Sequence, residues 1–178
     1  KQGESAAQWL SHVEESELVK VLRVYGEEKF ARKIAAEIVL QRQEKAIETT
    51  AQLAALIANV VTRREPGKHP ATRSFQAIRI KINKELDDLE QALEKSVSML
   101  KQGGRLAVIS FHSLEDRIVK RFMRELSRGE VVPRHLPMPL DAKKPVLKTI
   151  GKAIKASANE VAGNVRSRSA VLRIAEKL

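Results

Sequence analysis

The stretch GGRLAVISFHSLEDRIVKRFMRE, Gly103 to Glu125, constrains the fold more than any other part of the chain. Two glycines end a long helical pattern, and the short apolar run RLAVISF follows, bounded by turn residues as a buried strand is. At His112-Ser113 the pattern switches again, to the 3.6-residue period of an amphipathic basic helix from about Leu114 to Leu126. Helix, Gly-Gly, buried strand and helix in that order is the grammar of a parallel α/β sheet.

The residues before it read differently. Ser5 opens a first helix with Gln8 as its capping-box partner, and Ala6, Trp9, Leu10 and Val13 form one apolar stripe. A second helix runs from about Glu17 to Tyr25 and stops at Gly26 as its C′ residue. A third, Glu28 to about Gln43, buries Phe30, Ile34 and Ile38. A fourth, capped by Thr49 or Thr50, puts Leu53, Leu56, Ile57, Val60 and Val61 on one face. Short links between these helices predict an antiparallel bundle. RREPGKHPATR breaks the pattern with a Pro66-Gly67 turn, and the domain boundary is expected there, dividing residues 1–66 from 67–178. From Thr72 to Leu100 apolar residues recur at spacings of three and four, a helix of about 43 Å if unbroken. Beyond the basic helix come a Pro-rich loop, VVPRHLPMPLDAKKP, and a strand at VLKTIG. A short helix capped by Ser157 with Glu160 and a closing strand, SAVLRIAEKL, follow. The last two strands are expected to form an antiparallel pair at one side of the sheet.

Composition narrows the function classes. Cysteine is absent from the 178 residues, which excludes disulfides and thiolate metal sites and makes the cytoplasm the natural compartment. No apolar run approaches the ~20 residues of a membrane span. The first residue is Lys1 rather than Met, so a fragment of a longer chain is expected. The net charge of +11 is uneven: residues 1–66 carry ten basic and ten acidic side chains, and residues 67–178 carry 23 and 12. That asymmetry fits a polyanionic partner for the second part. Arg117, Lys120, Arg121, Arg124 and Arg128 recur on one face of the basic helix, and Arg166 and Arg168 precede the last strand. Phosphate contacts are the economical reading of that stripe, although cations beyond the first turn also suit the helix dipole.

Chemistry-bearing constellations are few. Ser113 with Asp116 reads as a helix cap, while His112 falls at the carboxyl end of a strand, where α/β proteins place ligands. A Ser-His hydrolase needs a G-x-S-x-G elbow, and Ser113 has no flanking glycines. The four histidines lack metal-ligand spacing, so no metal site is expected, and the eight glycines form no phosphate-binding loop. Trp9, on an apolar stripe, reads first as core; Tyr25, near a helix end, reads as a candidate for base stacking.

Three blocks, KHPATRSFQAIRIKINKELDDLEQAL, GGRLAVISFHSLEDRIVKRFMRE and NVRSRSAVLRIAE, resemble the ribosomal RNA small-subunit methyltransferase H family, also called RsmH or MraW. YGEEKFARKIAAEIV is similar to the same family, so the likeness runs essentially end to end. The resemblance implies an enzyme that uses S-adenosylmethionine to methylate N4 of a cytidine in the decoding centre of bacterial 16S ribosomal RNA. It implies an α/β fold: a Rossmann-like methyltransferase domain with an all-helical insertion for substrate recognition. Residues 1–66 would be most of that insertion and 67–178 the C-terminal half of the catalytic domain. The family's Gly-rich cofactor loop and Asp-Leu-Gly-x-Ser-Ser segment are absent, so cofactor-binding positions are not assigned. Its usual Asn-Pro-Arg-Ala-Arg-Ser stands here as Asn164-Val165-Arg166-Ser167-Arg168-Ser169, with both arginines kept.

Carried over by position, His112 and Ser113 belong to the active-site rim without an assigned chemical step. His69, Arg73, Arg79, Asn83, Arg117, Lys120, Arg121, Arg124, Arg166 and Arg168 face RNA, and Trp9 and Tyr25 are aromatic candidates. The expected partner is 16S ribosomal RNA or the small subunit, with a second copy of the chain also open. A non-catalytic basic RNA-binding module is the alternative, and a protein-interaction scaffold built on the long helix a third.

Overall fold

The computed structural model describes residues 3–62, 67, 69–128 and 144–178. Pro66 and residues 131–143 of the Pro-rich loop lie outside them. The chain divides into a helical unit, Lys1–Glu85, and an α/β unit, Leu86–Leu178. The boundary therefore falls some twenty residues later than the Pro66-Gly67 turn suggests. The reason is the helix after that turn, which packs on the second helix of the bundle. The charge excess is shared accordingly: residues 1–85 hold 15 basic and 11 acidic side chains, and residues 86–178 hold 18 and 11.

The helical unit contains α1 (Ala6–His12), α2 (Glu15–Gly26), α3 (Ala31–Glu44), α4 (Thr50–Val60) and α5 (Thr72–Asn83). Capping boxes start α1 and α4: Ser5 pairs with Gln8, and Thr49 with Gln52. The reciprocal bonds of these boxes satisfy donors that a helix start otherwise leaves orphaned. The apolar stripes converge on one core that includes Leu18, Leu22, Ile34, Ile38 and Ile57, each fully buried. Each such side chain stabilises the fold by roughly 1.5–3 kcal/mol relative to exposure. Arg42 of α3 donates to the carbonyls of Leu10 (2.9 Å) and Val13 (2.7 Å), closing the end of α1.

Gly26 is not the C′ residue. It is the last residue of α2, and Glu27 takes the left-handed conformation at φ 49°. What Gly26 supplies is closeness: a Cβ there would stand 2.7 Å from the Arg73 carbonyl oxygen, so α2 and α5 cross where α2 has no side chain. Arg73 donates to the Glu27 carbonyl (2.7 Å) and Gln76 to that of Tyr25 (3.4 Å), tying the end of α2 to α5.

The long helix is likewise divided. α5 ends at Asn83, Lys84 adopts φ 53°, and α6 runs from Glu85 to Met99. No glycine or proline marks the break.

The α/β unit adds β1 (Arg105–Ser110), α7 (Ser113–Arg128), β2 (Leu147–Lys155), α8 (Ala158–Gly163), a 3-10 turn at Val165–Ser169 and β3 (Val171–Lys177). Strand order is β1-β3-β2, and both pairings are antiparallel. The expected pair of C-terminal strands is present, but β1 also pairs antiparallel, because β3 returns between it and β2. β1 and β2 thus run in the same direction, joined through α7, with a reversed strand inserted. Among the described residues no parallel pair occurs. β2 is irregular between Ile150 and Ile154, where Gly151 takes φ 65°.

One sheet face carries Leu106, Val108 and Ala175 against Leu93 and Val97 of α6 and Val119 and Met123 of α7. Lys177 donates to the carbonyls of Val97 (2.8 Å) and Leu100 (2.9 Å), capping the end of α6. The opposite face presents Ile109 and Ile154, 58% and 54% exposed, on either side of their shared register partner Leu172.

Candidate nucleic-acid interface

The strand-to-helix corner is built from the backbone outward. His112, not Ser113, is the N-cap of α7. Its Nδ1 accepts the Glu115 N–H (3.3 Å), and Glu115 Oε2 accepts the N–H groups of Phe111 (2.8 Å) and His112 (3.2 Å). This is a reciprocal box with an imidazole where a hydroxyl usually stands. Accepting at Nδ1 places the ring proton on Nε2. That atom lies 3.1 Å from Glu115 Oε1 but off the line of a hydrogen bond, so its buried N–H has no aligned partner. Burial opposes ionisation of Glu115, yet the close His112 ring and the bonds from the Phe111 and His112 amides hold its carboxyl below the usual range. Ser113 is exposed at the first position of α7.

Asp116 does not answer Ser113 either. It receives Arg173 from β3 in a two-point pair, Nε to Oδ1 at 2.7 Å and Nη2 to Oδ2 at 2.9 Å. The Arg173 bond, followed by the nearby charges of Lys120 and Lys155, lowers the Asp116 pKa. Because the folded pKa is depressed, the pair's contribution is complete above the unfolded value near 4 and is lost as pH falls through the folded one. Glu115 acts in the same direction. Denaturant titration at stepped pH is therefore expected to show the α/β unit weakening below about pH 4, with Asp116→Asn removing part of that slope. A slope unaltered in Asp116→Asn would mean the pair does not couple folding to protons.

The basic stripe behaves as its spacing predicts. Arg117, Lys120, Arg121, Arg124 and Arg128 are all exposed, while Leu114, Val119 and Met123 are buried beneath. Strand register brings a second basic segment to the same end. Val171 pairs with Ser110, the last residue of β1, and with Lys155, the last of β2. The 3-10 turn before it holds Arg166 and Arg168 exposed at the carboxyl ends of β1 and β2, where α7 begins. Asn164 caps that turn by accepting the Arg166 N–H, and the buried Ser167 donates to the Asn164 carbonyl. A proline is therefore not needed to hold the bend.

In the helical unit the sequence candidates divide. Trp9 is 4% exposed and belongs to the core, not to a stacking surface. Tyr25 is half-buried against that core. His69 builds the turn into α5, its Nδ1 accepting the Ala71 N–H. Arg73 holds the end of α2, as described. Arg79 and Asn83 come together on Glu85, a residue that the sequence reading did not single out. Nor did it single out Arg173, whose partner lies 57 positions away.

The geometry defines a mixed α/β protein with a cationic edge at the carboxyl ends of two co-directional strands. The chain belongs to the MraW methylase family, which it matches over residues 1–178. Its curated relatives carry the name ribosomal RNA small subunit methyltransferase H. The protein from Thiobacillus denitrificans is 58% identical over 177 residues, 99% of this chain and 57% of the relative. That from Pseudoalteromonas atlantica is 56% identical over 179 residues, again 99% and 57%. That from Stenotrophomonas maltophilia is 57% identical over 175 residues, 98% and 54%. The chain thus spans somewhat more than half the length of the curated relatives it matches.

Proposed function

We propose that a family-length protein containing this chain transfers a methyl group from S-adenosylmethionine to N4 of a cytidine in the decoding centre of 16S ribosomal RNA. The observation that carries this reading is the exposed basic stripe of α7, a helix that starts beside His112 and Ser113 at the sheet end where Arg166 and Arg168 stand exposed. Two sequence-distant basic segments placed there suit a phosphate backbone, and such contacts position an RNA strand without reading it. The relatives' names supply the substrate class. Within this reading the helical unit serves substrate recognition, and the α/β unit is one flank of a Rossmann-like sheet. Two co-directional strands with one reversed strand between them support that assignment, since largely parallel sheets often carry an antiparallel strand. The bare Ile109 and Ile154 face supports it too. The setting is the cytoplasm, where small subunits are assembled.

The described residues do not by themselves fit the methyl donor. An adenosyl and amino-acid ligand calls for free carboxylates, and the two at the strand end are engaged, Glu115 by backbone amides and Asp116 by Arg173. What this chain's residues do is hold RNA and shape the rim.

Incubating the family-length protein with unmodified small subunits and S-adenosylmethionine, then digesting the 16S RNA for nucleoside mass spectrometry, tests the proposal. One N4-methylcytidine per RNA is expected. Tight RNA binding with no methylated cytidine would favour the non-catalytic RNA-binding module instead.

A further inference from the structure

We propose that Lys155, the last residue of β2, positions RNA by gripping a backbone phosphate beside Lys120 of α7. This rests on the RNA reading above and carries the basic surface of α7 onto the sheet. Both side chains are exposed. Register decides where Lys155 stands. It pairs with Val171, the first residue of β3, which also pairs with Ser110 at the end of β1. Cross-strand partners share a face, and so do residues two apart on one strand. Lys155 therefore lies on the same side of the sheet as Arg173, and Arg173 reaches Asp116 of α7 from that side.

The irregularity in β2 brings it there. Ile150 pairs with Ile174 and Ile154 with Leu172, so β2 advances four positions while β3 advances two, with Gly151 at φ 65° in between. In an unbroken register Ala153 would stand opposite Val171, and Lys155 would run past the start of β3. The extra residues instead hold the lysine opposite Val171, near Asp116 in the first turn of α7. On the helix itself, Lys120 follows Asp116 by four residues and shares its side of the surface.

The chemistry of this seam selects an anion. The field of both lysines reaches Asp116, but Arg173 already binds both oxygens of that carboxylate, and Glu115 is bound by the Phe111 and His112 amides. Three cations, Lys120, Lys155 and Arg173, stand against those two acids, and the positive surplus rests on the two ammonium groups. An ammonium is a compact point charge with three rotatable donors, suited to a phosphate oxygen. Lys120 also belongs to the exposed stripe of α7, and Arg166 and Arg168 stand exposed just before Val171. The seam thus continues a cationic surface, which is why an RNA backbone, rather than an acidic protein segment, is the partner assigned to it. Such a contact positions the strand and reads no base.

The test is fluorescence anisotropy of the family-length protein with a 16S RNA fragment across a salt series. Lys155→Ala should flatten the slope of log affinity against log salt by about 0.7–0.9, and weaken binding to an unrelated RNA of the same length by the same factor. Lys155→Arg, which keeps the charge, should restore the slope. Lys148→Ala removes an exposed lysine at the other end of β2 and should leave the slope as it is. Melting midpoints should stay within a few degrees, since exposed substitutions rarely move stability. An unchanged slope in Lys155→Ala, with the wild-type protein binding RNA, would overturn this proposal alone and allow an acidic protein segment as the partner. Equal flattening in Lys148→Ala would overturn it as an effect of net charge. If the wild-type protein binds no RNA, the functional reading fails first.

Discussion

Replacing Gly26 by valine is expected to lower the thermal midpoint of the helical unit by roughly 10–20 °C. The ideal Cβ at this position meets the Arg73 carbonyl oxygen at 2.7 Å and the Ala77 Cβ at 3.2 Å. Neither is the yielding end of a flexible side chain. Overpacking of this kind costs about 1–3 kcal/mol. Forcing α2 from α5 would also weaken the bonds of Arg73 and Gln76 to the Glu27 and Tyr25 carbonyls, at about 1 kcal/mol each. In a unit of this size each kcal/mol moves the midpoint by about 4–8 °C. Alanine should fall between, since it meets the same carbonyl but regains about 1 kcal/mol of helix propensity. Circular dichroism melting checks this, and a valine variant melting within about 3 °C of the parent would show that the two helices can part without loss.

Changing Lys120, Arg121 and Arg124 together to alanine should have the largest effect on RNA binding. Each cation that neutralises a phosphate contributes about 0.7–0.9 to the slope of log affinity against log salt, so the triple variant should flatten that slope by about two to three. All three side chains are exposed on one face of α7, whose other face is buried, and the fold should survive. Fluorescence anisotropy with a 16S RNA fragment across a salt series measures it. The separation from nonspecific damage lies in the slope, since misfolding lowers affinity at every salt concentration alike.

Local patterns were legible in the sequence where local physics decides them. Periodicity placed the helices and their buried faces, and the caps at Ser5, Thr49 and Ser157 follow from hydroxyl and amide residues at the right spacing. The basic stripe of α7 was readable for the same reason. The misreadings occur where a distant partner or an uncommon residue decides. His112 takes a cap that Ser113 seemed to claim, because Glu115 is placed to answer the earlier residue. Lys84 breaks a continuous apolar pattern with no glycine or proline, in a left-handed conformation that a lysine's own propensity does not signal. The antiparallel setting of β1 is specified by β3, more than sixty residues later. The Asp116–Arg173 pair is equally non-local. One signal was available for the last: an arginine inside an otherwise apolar strand, VLRIA, calls for an acidic partner.

Site-specific photocrosslinking tests the central claim most directly. With a photoreactive residue at Arg124 of the family-length protein, illumination in the presence of small subunits should join it to 16S RNA, whereas the same residue at Asp88, exposed on α6, should give little or no adduct. Robust methylation without any RNA adduct at Arg124 would contradict the account, because the rRNA strand would then be held by some surface other than the basic face of α7.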